Sequence, residues 1–73
     1  MEEIKVKINT PFIKLDQLLK FVGLTETGGH AKEIINEGLV YVNEKICVLR
    51  GKKIIAGDIV KIDDYVLIIE NEN

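Results

Sequence analysis

The chain has 73 residues, 47% of them apolar and 30% charged, with a formal net charge of −2. A chain this short buries only about 60% of the surface its unfolded form exposes, which excludes a two-domain enzyme and leaves one domain, residues 1–73. One cysteine and one histidine exclude an internal disulfide and a four-ligand Cys/His zinc centre, so the domain must hold together by packing alone.

Residues 4–8, Ile-Lys-Val-Lys-Ile, alternate strictly and predict a half-buried strand with Ile4, Val6 and Ile8 on one face. Asn9-Thr10-Pro11 ends it, because proline cannot continue a ladder. Leu15, Leu18, Leu19 and Val22 fall at i, i+3, i+4 and i+7, one apolar stripe of a helix that Gly23 closes. Thr25 to His30 then reads as a turn into a second helix over Ala31–Glu37, with Thr27 as N-cap and Gly38 as the stop.

From Leu39 the period changes to two. Leu39–Val42 predicts a strand, Asn43-Glu44 a tight turn with Asn43 at positive φ, and Lys45–Val48 the return strand. A second hairpin is expected from Arg50–Ile55 through the turn Ala56-Gly57-Asp58 to Ile59–Ile62, and a last strand over Tyr65–Ile69. The polar tail, residues 70–73, is expected to fray. One strand, two short helices and then several short strands predict an α+β domain, the helix pair packed on one face of a small, mainly antiparallel sheet.

The charge is unevenly spread. Between residues 4 and 61 there are ten Lys and Arg against six acids, a net +4, and the other six acids lie toward the termini. Lys45, Arg50, Lys52 and Lys53 form the densest basic block, with no acid between positions 45 and 57. Such a block reads either as a solvated hairpin edge that discourages strand pairing or as an anion-binding surface. Thr27-Gly28-Gly29 reads either as a flexible helix start or as backbone amides open to a phosphate, glycines leaving room for its approach.

The order Leu15-Asp16-x-x-Leu-Leu, Gly23, a turn, Ala31-Lys32-x-x-Ile-x-x-Gly38, Val40-Tyr-Val-Asn43 and Gly57-Asp58-Ile-Val resembles the S-four RNA-binding domain, the alpha-L motif. The resemblance covers residues 14–60, about two thirds of the chain. It is strongest to small stand-alone bacterial members, on Thr27-Gly28-Gly29 and Arg50-Gly51-Lys52-Lys53. It implies a non-catalytic protein that binds structured RNA, ribosomal more than transfer RNA, in ribosome assembly or translation, with the ribosomal subunit as partner and no DNA. The RNA-binding residues it points to, with the basic block, are Lys14, Thr27, Gly28, Gly29, His30, Lys32, Asn43, Arg50, Lys52 and Lys53. Two departures from the family pattern stand out: Thr27-Gly28 replaces a Ser-Arg entry to the second helix, and Asn43-Glu44 replaces Asn-Gly, setting a negative charge beside the expected RNA face.

The physics of RNA recognition is consistent with this set. Reading a folded RNA by shape needs spaced cations and donors to 2′-hydroxyls, not a helix in the narrow A-form major groove. Arg50 suits bidentate phosphate contact and the lysines act as point charges. His30 reads either as a solvated helix-start residue or as a donor and stacking group, and Tyr41 as strand packing or as a base platform. Cys47 reads as a small packed hydrophobe without a role.

An enzyme is not expected: serine is absent, and the one histidine has no carboxylate beside it in sequence to orient it. No metal or cofactor is expected either. The longest apolar runs, such as Val66–Ile69, fall far short of the roughly 18 residues of a bilayer span, and the acidic start Met1-Glu2-Glu3 is unlike a secretory leader. The expectation is a cytoplasmic protein without a membrane partner. Two alternatives stay open: a ribosome-associated protein-interaction adaptor, and a β-grasp sulfur carrier. The carrier would need a C-terminal Gly-Gly, where this sequence reads Asn71-Glu72-Asn73.

Overall fold

The computed structural model describes residues 2–72. Its elements, in chain order, are β1 (Glu2–Ile8), β2 (Ile13–Lys14), α1 (Leu15–Phe21), α2 (Gly28–Asn36), β3 (Val40–Val42), β4 (Lys45–Ile46), β5 (Lys53–Ile54), β6 (Ile59–Ile62) and β7 (Tyr65–Asn71). Five strands form one sheet in the order β1-β7-β6-β3-β4, in which only β1 and β7 run parallel, and β2 pairs with β5 in a separate two-stranded ribbon. This is the expected α+β arrangement.

Alternation along the strands builds the core. Val6, Ile8, Val40, Val42, Val60, Ile62, Leu67 and Ile69 point inward and are buried, and they meet Leu15, Leu18 and Leu19 of α1 and Ala31 and Ile35 of α2. The helix stripes of the sequence are thus the surfaces that close over the sheet. Each helix stops at a glycine for the same reason. Gly23 and Gly38 take φ of 82° and 76°, and each helix end carries the paired closing bonds of a Schellman motif. These are Gly23 N–H to the Lys20 carbonyl with Leu24 N–H to Leu19, and Gly38 N–H to Ile35 with Leu39 N–H to Ile34.

Several expectations are corrected. The second helix begins at Gly28 rather than Ala31, because Thr27 caps it by accepting a hydrogen bond from the His30 amide at 3.1 Å, which draws both glycines into the first turn. The return strand ends at Ile46, not Val48. The expected hairpin of residues 50–55 with 59–62 does not form; Lys53 and Ile54 pair with Lys14 and Ile13 instead. The cause is tertiary. The amides of Leu15 and Asp16, at the open end of α1, donate to the carbonyls of Lys52 (2.9 Å) and Arg50 (3.0 Å) and carry that segment away from β6. The tail also differs from expectation: Glu70 and Asn71 extend β7, opposite Lys7 and Ile8, and the Glu72 amide donates to the Ile8 carbonyl. Backbone pairing needs no apolar side chain, so a polar sequence does not prevent it. Asn73 of the expected frayed tail lies outside the described residues.

Asn43 and Glu44 both take positive φ, 51° and 70°, the geometry of a type I′ turn. Asn43 also ties the two hairpin ends together. Its Nδ2 donates to Asp58 Oδ1 (3.0 Å), its Oδ1 accepts from the Ile59 amide (2.9 Å), and its own amide donates to the Ile59 carbonyl (2.8 Å). Asn43→Ala removes two side-chain hydrogen bonds and puts a β-carbon residue without local side-chain bonding at positive φ, so a loss of about 1–2 kcal/mol in urea unfolding is expected. Asn43→Gly should recover part of it, and equal stability of all three proteins would show that the tie contributes nothing.

Candidate nucleic-acid interface

Lys52 and Arg50 are positioned by backbone, not by side-chain packing. Helix α1 has no side-chain cap at Lys14, and its first amides are satisfied by the carbonyls of residues 50 and 52. The Lys52 amide closes a turn onto the Leu49 carbonyl at 3.1 Å, with Arg50 and Gly51 at the turn's centre. The Cys47 amide, bonded to the Val40 carbonyl at 2.9 Å, anchors the other end of the segment to the sheet. The basic loop is therefore held at both ends, with exposed side chains at Arg50 and Lys52.

Across from this loop lies α2. Gly28, Lys32 and Asn36 recur at i, i+4 and i+8 and share one exposed side of the helix. Lys32 and Asn36 face Val48, Leu49, Arg50, Gly51 and Lys52 across a groove of about 420 Å³. Three of the expected cations, Lys32, Arg50 and Lys52, thus converge on one concavity. Thr27 Oγ1 occupies the His30 amide, and the Ala31 amide donates to the Thr27 carbonyl at 3.2 Å. The amides of Gly28 and Gly29 have no acceptor within the helix and stand one turn before Lys32. Neither glycine carries a side chain to crowd those amides, and the place a β-carbon would take has no neighbouring side chain closer than 3.9 Å.

The remaining expected residues fall around this centre. Lys14 and Lys53 are cross-strand partners, each one residue along the chain from the Leu15–Lys52 backbone bond. The Lys53 ammonium sits 4.9 Å from the centroid of the Phe12 ring, a cation–π contact that ties it to the protein. Asn43 lies with Lys45 and Lys52 in a second concavity that shares Val48 and Leu49 with the groove, its side chain engaged by Asp58 and Ile59. His30, two residues before Lys32, projects from a different side of α2. Tyr41 stands on the outer sheet face opposite Ile46 and Lys61. Cys47 is half-buried and packs against the core.

Charge pairing leaves the cations free. Among the described residues the single ion pair joins Lys61 to Glu44, at 3.6 Å, so Lys14, Lys32, Arg50, Lys52 and Lys53 have no carboxylate partner there. The negative charge expected to weaken the face, Glu44, is directed to Lys61. The sequence reading passed over Asn36, Val48 and Leu49 as lining residues. The i+4 spacing of Asn36 from Lys32 is the available signal for the first, whereas Val48 falls in the expected return strand and Leu49 in the continuous apolar run that follows it.

Residues 6–70 match the S4 domain family. The chain is also 37% identical over 60 residues to "Probable ribosome maturation protein RlbA" of Bacillus subtilis (strain 168), a match spanning 82% of this chain and 84% of that protein. With the two helices on the mainly antiparallel sheet and a family match over nearly its whole length, the chain belongs to the S4 domain family.

Proposed function

We propose that this chain is a non-catalytic RNA-binding protein that holds structured ribosomal RNA during maturation of a ribosomal subunit. The observation that carries the reading is the convergence of Lys32, Arg50 and Lys52 on one groove without carboxylate partners among the described residues. The name of the Bacillus subtilis relative, a ribosome maturation protein, supports the setting. Lys14, Lys45 and Lys53 extend the positive surface from the groove, and the amides of Gly28 and Gly29 take the place of the guanidinium that other family members carry at the helix entry. Thr27 sets those amides by capping the helix. Ribosomal RNA, and not transfer RNA, is the ligand class of this reading. The family match sets aside the sulfur-carrier alternative.

One observation favours a second reading. The outer face of the sheet exposes Tyr41, Ile46 and Ile59, an apolar surface suited to a protein contact on the ribosome. Capturing the tagged protein before and after nuclease treatment separates the two: an RNA binder loses its cargo, and an adaptor keeps a protein partner.

Neutralising about four phosphates gives a log–log salt slope near −3, roughly 50- to 100-fold weaker binding between 50 and 200 mM salt. Filter binding to ribosomal RNA across a salt series measures it, and a flat series would rule out this mode of binding. Lys32→Ala combined with Lys52→Ala is expected to weaken binding by at least about tenfold and to flatten the slope by about two. The melting temperature should barely change, because both side chains are exposed. Lys53→Ala, which removes a cation already held over Phe12, should cost less. If Lys53→Ala cost more than the groove pair, the binding centre would lie on the β2–β5 ribbon instead.

A further inference from the structure

The groove has a second chemistry that phosphate binding does not use. Val48 and Leu49 line it together with the three cations, yet they are 51% and 65% exposed. They are not held in water by a loose loop: the segment is bonded to the sheet at Cys47, turned by the Lys52–Leu49 bond and docked on α1 through residues 50 and 52. The backbone thus presents two aliphatic side chains next to Arg50 in a fixed position. A continuous A-form duplex offers phosphates, riboses and base edges to such a groove, and its apolar base faces are buried in the stack. An unpaired nucleotide offers a base face that covers aliphatic carbon and stacks on a guanidinium plane, and leucine is among the side chains known to wedge against unstacked bases.

We propose, resting on the RNA-binding reading above, that this groove takes an unpaired nucleobase against Val48 and Leu49 while Lys32, Arg50 and Lys52 hold the phosphates on either side. The preferred ligand is then an interrupted helix, at a bulge, internal loop or junction, and not an unbroken duplex. The absence of any acid between residues 45 and 57 favours RNA over a protein as the cover for these two side chains.

The test uses the full chain with two hairpin RNAs of the same stem sequence, one fully paired and one carrying a single-nucleotide bulge. The wild-type protein is expected to bind the bulged hairpin about tenfold more tightly. Val48→Ser with Leu49→Ser should erase that preference while keeping affinity for the paired hairpin, and Lys32→Ala with Lys52→Ala should weaken binding to both. Equal, salt-dependent affinity of the wild type for the two hairpins overturns the base-site inference and leaves the RNA-binding reading standing. A preference that survives in the serine variant places the base elsewhere and also overturns it, and failure to bind either RNA overturns both readings. Should the serine variant not fold, the wild-type comparison decides alone.

Discussion

The interaction on which the binding face depends is the pair of backbone hydrogen bonds from the first turn of α1 to the carbonyls of Lys52 and Arg50. A helix start leaves amides that must find acceptors, and here the N-cap residue Lys14 supplies none to the first two. Taking those acceptors from a distant loop satisfies the helix and fixes the loop in a single step. Lys53 and Ile54 are thereby brought beside Ile13 and Lys14, where Ile54 is fully buried. Arg50 and Lys52 are left projecting across from α2. The packing requirement and the placement of the cations are consequences of the same contacts, so binding geometry is inherited from the fold and not from side-chain pairing.

Part of the acidic charge is kept away from the basic face by the width of the sheet. Glu2 and Glu3 lie on β1, and Asp63 and Asp64 lie in the turn next to it, with the Glu2 amide bonded to the Asp64 carbonyl. Strands β1 and β4 are the two edges of the sheet, four strand spacings or about 19 Å apart. That exceeds the roughly 8 Å screening length at physiological salt. Carboxylates at the β1 edge therefore do little to the potential at residues 45–52. The net charge of a small domain is a poor guide to its partner when part of its acidic charge lies this far from the basic block.

What was legible in the sequence follows from which signals are local. The helices were readable because apolar positions at Leu15, Leu18 and Leu19 and glycines at 23 and 38 act over one or two turns. The β2–β5 ribbon was not, because strands of two residues carry no period and their pairing is dictated by the docking of residues 50–52 on α1. The tail was misread because its polar side chains hide a backbone ladder with β1. In the binding face, the basic block was legible as a run, but its meeting with Lys32 and Asn36 depends on how α2 crosses the sheet. Asn43 shows the converse difficulty. The residue stood out correctly as a positive-φ turn position, whereas its bonds to Asp58 and Ile59 join residues far apart in sequence.

The division between core and surface explains how so short a chain can carry a binding face. The buried apolar set draws on both helices and on β1, β3, β5, β6 and β7, and includes none of Lys32, Asn36, Val48, Leu49, Arg50 or Lys52. Side chains of the groove are therefore free to vary with the ligand at little cost to folding, since surface changes away from buried contacts usually alter stability by about 0.5 kcal/mol or less. The backbone beneath them is not free in that sense. Any change that moves the carbonyls of residues 50 and 52 uncaps α1 and displaces the cations together, so recognition here is tuned through side chains on a loop whose path the fold has already fixed.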